Sequence, residues 1–325
     1  DDGAAQHDDR ARRRRSGEAQ LELPRRPRLL DLLEPLQMIP RLLHLSPQGV
    51  RSAPVGHRAA RPRLAAPAGE ERRVAVALAD VVVVGGLVLR PRALVKGDTI
   101  GVVAPSYAPR PGWLVRGVKA LEHVGFNVVL DPEIALGRRF KRSEDERRAE
   151  NFMGVWLDPN VKAVMGSTGG YGAVRMLPYL EPEVFRRNPK IFVGYSDITA
   201  LHLWLMRRSG LRTFHGPTVD DLIPSTRDPT MASLLTALTT PRPTTKIGKG
   251  IARGVRPGKA TGRLIGGNLS LVQQTIGTPY EVDTRDSILF LEETRDPMSV
   301  LDERLVHLRA AGLRQIGRAS CRERV

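Results

Sequence analysis

Between Thr99 and Arg208, short apolar runs alternate with segments of helical spacing, and that alternation leaves few folds open. Residues 99–104, 126–130, 161–165 and 190–193 are predicted strands. Residues 113–124, 144–157, 173–180 and 197–208 are predicted helices. In the first helix Leu114, Val118 and Leu121 fall on one face, and Gly125 suits a C-terminal cap. A repeated strand–helix order predicts an α/β fold with a mostly parallel sheet covered on both faces. Ligands in such folds bind beyond the carboxyl ends of the strands.

A stretch rich in Thr, Pro, Gly and Lys (TTPRPTTKIGKG) follows and is predicted to join two domains. A second domain starts near Gly258, with a Gly-Gly-Asn turn at 266–268, a strand at 287–291 and a helix near 300–311. The chain thus divides into an upstream segment (1–89), an N-terminal α/β domain (90–238), a linker (239–257) and a partial C-terminal domain (258–315). Residues 316–325 form a tail apart from both domains.

Both ends differ from the middle. Residues 1–90 hold 16 Arg, no Lys and 11 acids, and 1–73 show no sustained helix or strand period. They are expected to lie outside the fold. The apolar stretch 74–89 is short for a membrane span and is interrupted by Asp80. The tail IGRASCRERV back-translates to the sequence of a widely used sequencing adapter. It is therefore expected to be foreign, with the natural protein continuing past Gln315. The lone cysteine, Cys321, lies in that tail. One cysteine makes neither an internal disulfide nor a zinc site.

The net charge is +16, of which +5 lies in residues 1–90 and +2 in the tail. No basic run in the rest is interleaved with aromatics, which argues against nucleic-acid binding. The Walker lysine loop, HExxH and CxxC are all missing from the sequence.

Three places carry chemistry. At Gly194-Tyr195-Ser196-Asp197 an apolar strand runs straight into a helix, the context of a nucleophile elbow. The backbone N–H of Asp197 could there stabilise a developing oxyanion. Ile198 stands where G-x-S-x-G has its last glycine, and a simple helix cap at Ser196 or Asp197 fits as well. The loop Gly169-Gly170-Tyr171-Gly172 could bring backbone N–H groups to an oxyanion or a phosphate, or be a plain tight turn. Glu292 ends an apolar run and could orient a histidine, with Glu293 as its rival. His202, His215 and His307 are read as packing or polar surface residues, His215 on the same sheet edge as Ser196.

Six stretches taken in order resemble the LD-carboxypeptidase family, which includes murein tetrapeptide carboxypeptidases and microcin-immunity peptidases. They are GDTIGVVAPS (97–106), GSTGGYGAVRMLPYL (166–180), KIFVGYSDITALHL (190–203), TFHGP (213–217), GRLIGGNLSLVQQTIGTPY (262–280) and SILFLEE (287–293). The resemblance implies a flavodoxin- or Rossmann-like first domain and a smaller, swivelling β/α second domain. It implies a Ser–His–Glu triad in which Ser196 is the nucleophile and Glu292 the acid. The oxyanion hole would come from the Asp197 amide with Gly169 and Gly170. The implied reaction releases C-terminal D-alanine from a murein tetrapeptide in the cytoplasm, by a homodimer with no metal or cofactor. Ser167-Thr168 stands where many members carry Ala-Arg, which bears on substrate preference. The family's histidine lies in a Gly-His motif after the acid. No such motif is present, so the chain is expected to be inactive. The competing expectations are an immunity peptidase acting on peptide–nucleotide antibiotics and a non-catalytic binder of small phosphates at 169–172.

Overall fold

The computed structural model describes residues 82–84, 89–134, 142–225, 227–240, 262–294 and 296–313. Six strands form the main sheet: β1 (Val82–Val84), β2 (Thr99–Val103), β3 (Asn127–Leu130), β4 (Val161–Gly166), β5 (Ile191–Gly194) and β6 (Thr213–His215). Their order is β1-β6-β5-β4-β2-β3, and every pairing is parallel except β1 with β6. The five parallel strands have the flavodoxin-like order, and the chain reverses direction across the sheet between β2 and β4.

Period-two side chains divide the core between the two faces. Ile100, Val102, Ala163, Met165, Ile191 and Val193 face α1 (Pro111–His123) and α5 (Pro229–Thr239). Val103, Val161, Val164 and Phe192 face α2 (Arg142–Leu157), α3 (Pro182–Arg187) and α4 (Thr199–Trp204). This second face is packed around the fully buried rings of Phe152, Trp156, Phe185 and Phe192, which meet at 4.9–6.0 Å. Full burial of such side chains is worth roughly 1.5–3 kcal/mol each, so this layer fixes where the strands end.

A smaller unit follows, in which β7 (Arg263–Asn268) pairs in parallel with β8 (Ser287–Glu292). Helices α6 (Leu269–Gln274) and α7 (Met298–Ala310) cover it, and Leu203 of α4 enters its core. A parallel-sheet α/β core with a smaller second sheet domain is the architecture the alternation predicts. No helix among the described residues is long and apolar enough to cross a membrane.

Several elements differ from the sequence reading. Strand β1 lies inside 1–89, so that segment is not wholly outside the fold: Val82–Val84 closes the sheet edge against β6, and Leu89 bridges to Leu211. The segment expected as a helix near 173–180 is a 3₁₀ helix over Ala173–Tyr179, with Pro178 inside it, whose ring would clash in an α-helix with the carbonyl four residues back. The chain then restarts as α3 at Pro182. The helix expected over 197–208 is a 3₁₀ turn, α4 and a π turn in succession. Gly266–Asn268 is the end of strand β7, not a turn. Most of the linker, all of 1–73 and the tail 316–325 with Cys321 lie outside the described residues.

Candidate functional site

The serine sits where β5 leaves the sheet. Tyr195 is still extended, and Ser196 then turns to φ 58°. Asp286 is the only other described non-glycine residue with positive φ. A non-glycine residue held there costs on the order of 1–3 kcal/mol and persists only where its surroundings fix it. They do so here. The Asp197 side chain is buried, and its Oδ2 accepts from Ser106 Oγ at 2.6 Å and from the Ala173 N–H at 2.8 Å. His202 Nε2 bonds to the Gly194 carbonyl at 2.8 Å, the last of the strand. Asp197 and His202 thus pin the chain on either side of the kink. A helix cap would leave the serine in ordinary backbone, so the left-handed Ser196 favours the elbow reading.

Across from it lies the glycine loop at the end of β4. A Cβ on Gly169 would lie 3.1 Å from Ser196 Cβ and 3.2 Å from Ser196 Oγ. A side chain there would crowd the hydroxyl, and glycine leaves this approach open. The Tyr107 N–H donates to the Gly169 carbonyl at 3.4 Å, and the Tyr107 ring fills the space a side chain on Gly170 would need. Ser196, Asp197, Gly169 and Gly170 are therefore brought together at the carboxyl ends of adjacent strands, beside the β2/β4 reversal.

Glu292 reaches this edge from the second domain, at the end of β8. Burial pushes its carboxyl above the usual range, a side-chain hydrogen bond from Asn268 opposes this, and Glu293 adds to it. Its Oε1 has no hydrogen bond among the described residues and lies 3.8 Å from His215 Nε2. Burial and the nearby His202 push His215 down to about 3, so the ring is neutral at pH 7 and this contact is not an ion pair. Glu293 is differently placed. It accepts from Ser270 Oγ at 2.6 Å and meets Arg304 at 3.4 Å. Saturated by these partners, Glu293 is a structural brace, and Glu292 is the carboxylate with an open acceptor.

The two domains meet at Gly267. A Cβ there would lie 2.7 Å from the Thr199 side chain and 3.3 Å from His215 Nδ1. The next N–H, of Asn268, donates to Thr199 Oγ1 at 3.0 Å.

The profile of the LD-carboxypeptidase N-terminal domain matches residues 100–216, and that of its C-terminal domain matches 261–318. The chain is 37% identical over 239 residues to a probable murein peptide carboxypeptidase of Bacillus subtilis, covering 69% of this chain and 70% of that protein. This chain belongs to the LD-carboxypeptidase family. It is also 29% identical over 245 residues to the microcin C7 self-immunity protein MccF of Escherichia coli, covering 64% of this chain and 70% of that one. A solved MccF-like protein from Bacillus anthracis superposes with a TM-score of 0.61 at 30% identity, covering 69% of this chain and 76% of its own. The family and the carboxypeptidases within it make this LD-carboxypeptidase a peptidase.

In this LD-carboxypeptidase four further residues support the site. Ser106 holds Asp197, His202 holds the strand end, His215 faces Glu292, and Asn268 bridges the domains. Ser106, His215 and Asn268 act across long chain separations, which local pattern does not reveal, while His202 reaches back eight residues to Gly194. His307, at the far end of α7, bonds to Gln273 at 2.8 Å. Among the described residues no group of His, Cys, Asp and Glu is arranged to hold a metal.

Proposed function

We propose that this family member is a serine peptidase that hydrolyses an L,D-peptide bond and releases C-terminal D-alanine from murein tetrapeptides in the cytoplasm. The left-handed Ser196, against the side-chain-free face of Gly169, carries this reading. Ser196 Oγ would attack the scissile carbonyl, and the developing oxyanion would take hydrogen bonds from the Asp197 amide and the Gly169–Gly170 loop. Collapse of the tetrahedral intermediate expels D-alanine and leaves an acyl-serine, which water then hydrolyses. Glu292 would orient and stabilise an imidazolium, a role suited to a carboxylate whose Oε1 lacks a donor.

The base is not one of the described histidines in this reading. His202 is tied to a strand carbonyl, burial holds it down to about 4, and its Nδ1 faces no partner. His215 is buried and neutral, and His307 is engaged by Gln273. The 325-residue chain alone should then be nearly inactive. The test is D-alanine release from murein tetrapeptide with and without added imidazole. Release that survives Ser196→Ala would end the serine mechanism.

The relation to MccF supports a second reading, an immunity-type peptidase acting on peptide–nucleotide antibiotics. The same assay run on an aminoacyl sulfamoyl nucleoside separates the two by which substrate is turned over faster.

A further inference from the structure

The glycine loop is anchored at its downstream end by Asp197, through the Ala173 N–H. A second carboxylate holds its upstream end. The turn Val219–Asp221 follows β6, and the Asp220 N–H donates to the Ser167 carbonyl at 3.0 Å. The Thr168 side chain and the Arg110 backbone N–H lie beside the Asp220 carboxylate and favour its charged form. Ser167 and Thr168 are the two residues directly before Gly169.

The turn itself is immobilised by α1. A Cβ on Gly117 would fall 1.9 Å from the Val219 carbonyl oxygen, so helix and turn are in direct backbone contact. Arg116 donates to the Asp220 carbonyl at 2.7 Å and to the Leu222 carbonyl at 3.2 Å. Thr218 and Asp221 close the turn with a reciprocal cap, the Thr218 N–H and hydroxyl donating to Asp221 Oδ2 at 2.9 and 2.7 Å. Asp220 is only 4% exposed, and its Oδ1 has no hydrogen bond among the described residues. Burial pushes the carboxyl up to about 6. A half-satisfied buried carboxylate is a net cost to folding, and a small apolar residue would fill the same place more cheaply. Its remaining use is to carry the fixed position of α1 to Thr168.

We propose that Asp220 is a positioning residue that holds Ser167 and Thr168 so that the Gly169 and Gly170 amides stay aimed at the oxyanion. The inference rests on the oxyanion role assigned above to that loop. Amide hydrogen exchange tests it without turnover. Thr168→Val removes the hydroxyl at constant shape, Thr168→Ser restores it, and Asp220→Ala removes the acceptor. Exchange at Gly169 and Gly170 should quicken about tenfold or more in Thr168→Val and Asp220→Ala, and return to the wild-type rate in Thr168→Ser. Unchanged loop exchange in Thr168→Val would overturn the proposal. So would exchange that rises equally in β5 and α1, since Asp220 would then support the fold at large.

Where wild-type turnover is measurable, kcat should fall about tenfold to a hundredfold in Thr168→Val, with KM within twofold, as a misplaced donor affects the transition state selectively. A rise in KM alone would count against the loop as the target. Failure of added imidazole to bring about release from any L,D-peptide would remove the proposed function and leave the exchange result standing.

Discussion

The two halves of the site are finished to different degrees. On the first domain the chain around Ser196 is tied down on every side: Asp197 bonds to Ser106 and Ala173, His202 to Gly194, and the Tyr107 N–H to Gly169. On the second domain Glu292 Oε1 is buried and has no hydrogen bond among the described residues, and the same holds for Nδ1 of His215, which faces Glu292 from β6 of the first domain. The Ser196 side is preorganised at the expense of backbone strain. The Glu292 side is less constrained. Strain can be stored only where the surrounding hydrogen bonds over-determine it.

The largest effect that sharpens this contrast is chemical rescue. If the acid side lacks its imidazole, tens of millimolar added imidazole should raise D-alanine release by about a hundredfold or more, since a general base contributes roughly 10²–10⁴-fold. Ser196→Ala should show no such gain. Fast release without imidazole would mean that a histidine already present is the base, and His215, 3.8 Å from Glu292, would be the first to replace.

Next in size is the loss of Asp197. Asp197→Ala strands two buried donors, the Ser106 hydroxyl and the Ala173 N–H. Urea unfolding should show a loss of about 2–6 kcal/mol at about 1–3 kcal/mol per unsatisfied group. A loss below about 1 kcal/mol would show that the elbow is not held as tightly as its bonds imply.

Acid should act through the buried histidines. His202 is held down to about 4 from an ordinary 6.5, so the unfolded chain binds its proton first. Its contribution is complete above pH 6.5 and is lost as the pH falls toward 4. By linkage the full swing is roughly 3 kcal/mol. The variant His202→Gln should flatten the stability profile in that window. An unaltered slope would assign the acid sensitivity to other groups.

The smallest effect distinguishes the two neighbouring glutamates. The raised carboxyl of Glu292 gives up its contribution as the pH climbs through its folded value. Glu292→Gln should therefore be as stable as the parent at pH 8, or more so by about 1 kcal/mol. Glu293→Gln should be less stable at pH 8, because it loses the charge that Arg304 pairs with. The reverse order in thermal melts would exchange their roles.

How much of this was legible in the sequence depended on range. Strands β2 to β5 were readable, because each is a run of consecutive apolar residues. The chemistry at Ser196 was readable as one of two options, and the backbone at that residue favours the elbow. Gly266–Asn268 misled because two glycines before an asparagine have the composition of a turn. In the fold they are glycines since Phe290 O, Thr199 and His215 occupy the space that side chains would need. The 173–180 segment was read as a helix, and the steric limits of Pro178 inside it favour the 3₁₀ form over an α-helix. His215 beside Glu292 was not readable at all, since strands from two domains bring them together.

Gly267 carries a consequence for how such a site can be lost. The residue takes no part in chemistry, yet its bare α-carbon lets β7 settle against Thr199 and His215, and β8 with Glu292 travels with it. A single methyl group placed there would act as a wedge. It would move the acid away from the serine while leaving every reactive side chain intact. Loss of activity in a relative could therefore begin at a position that an inventory of reactive residues would pass over, with the hinge between the domains failing before the chemistry does.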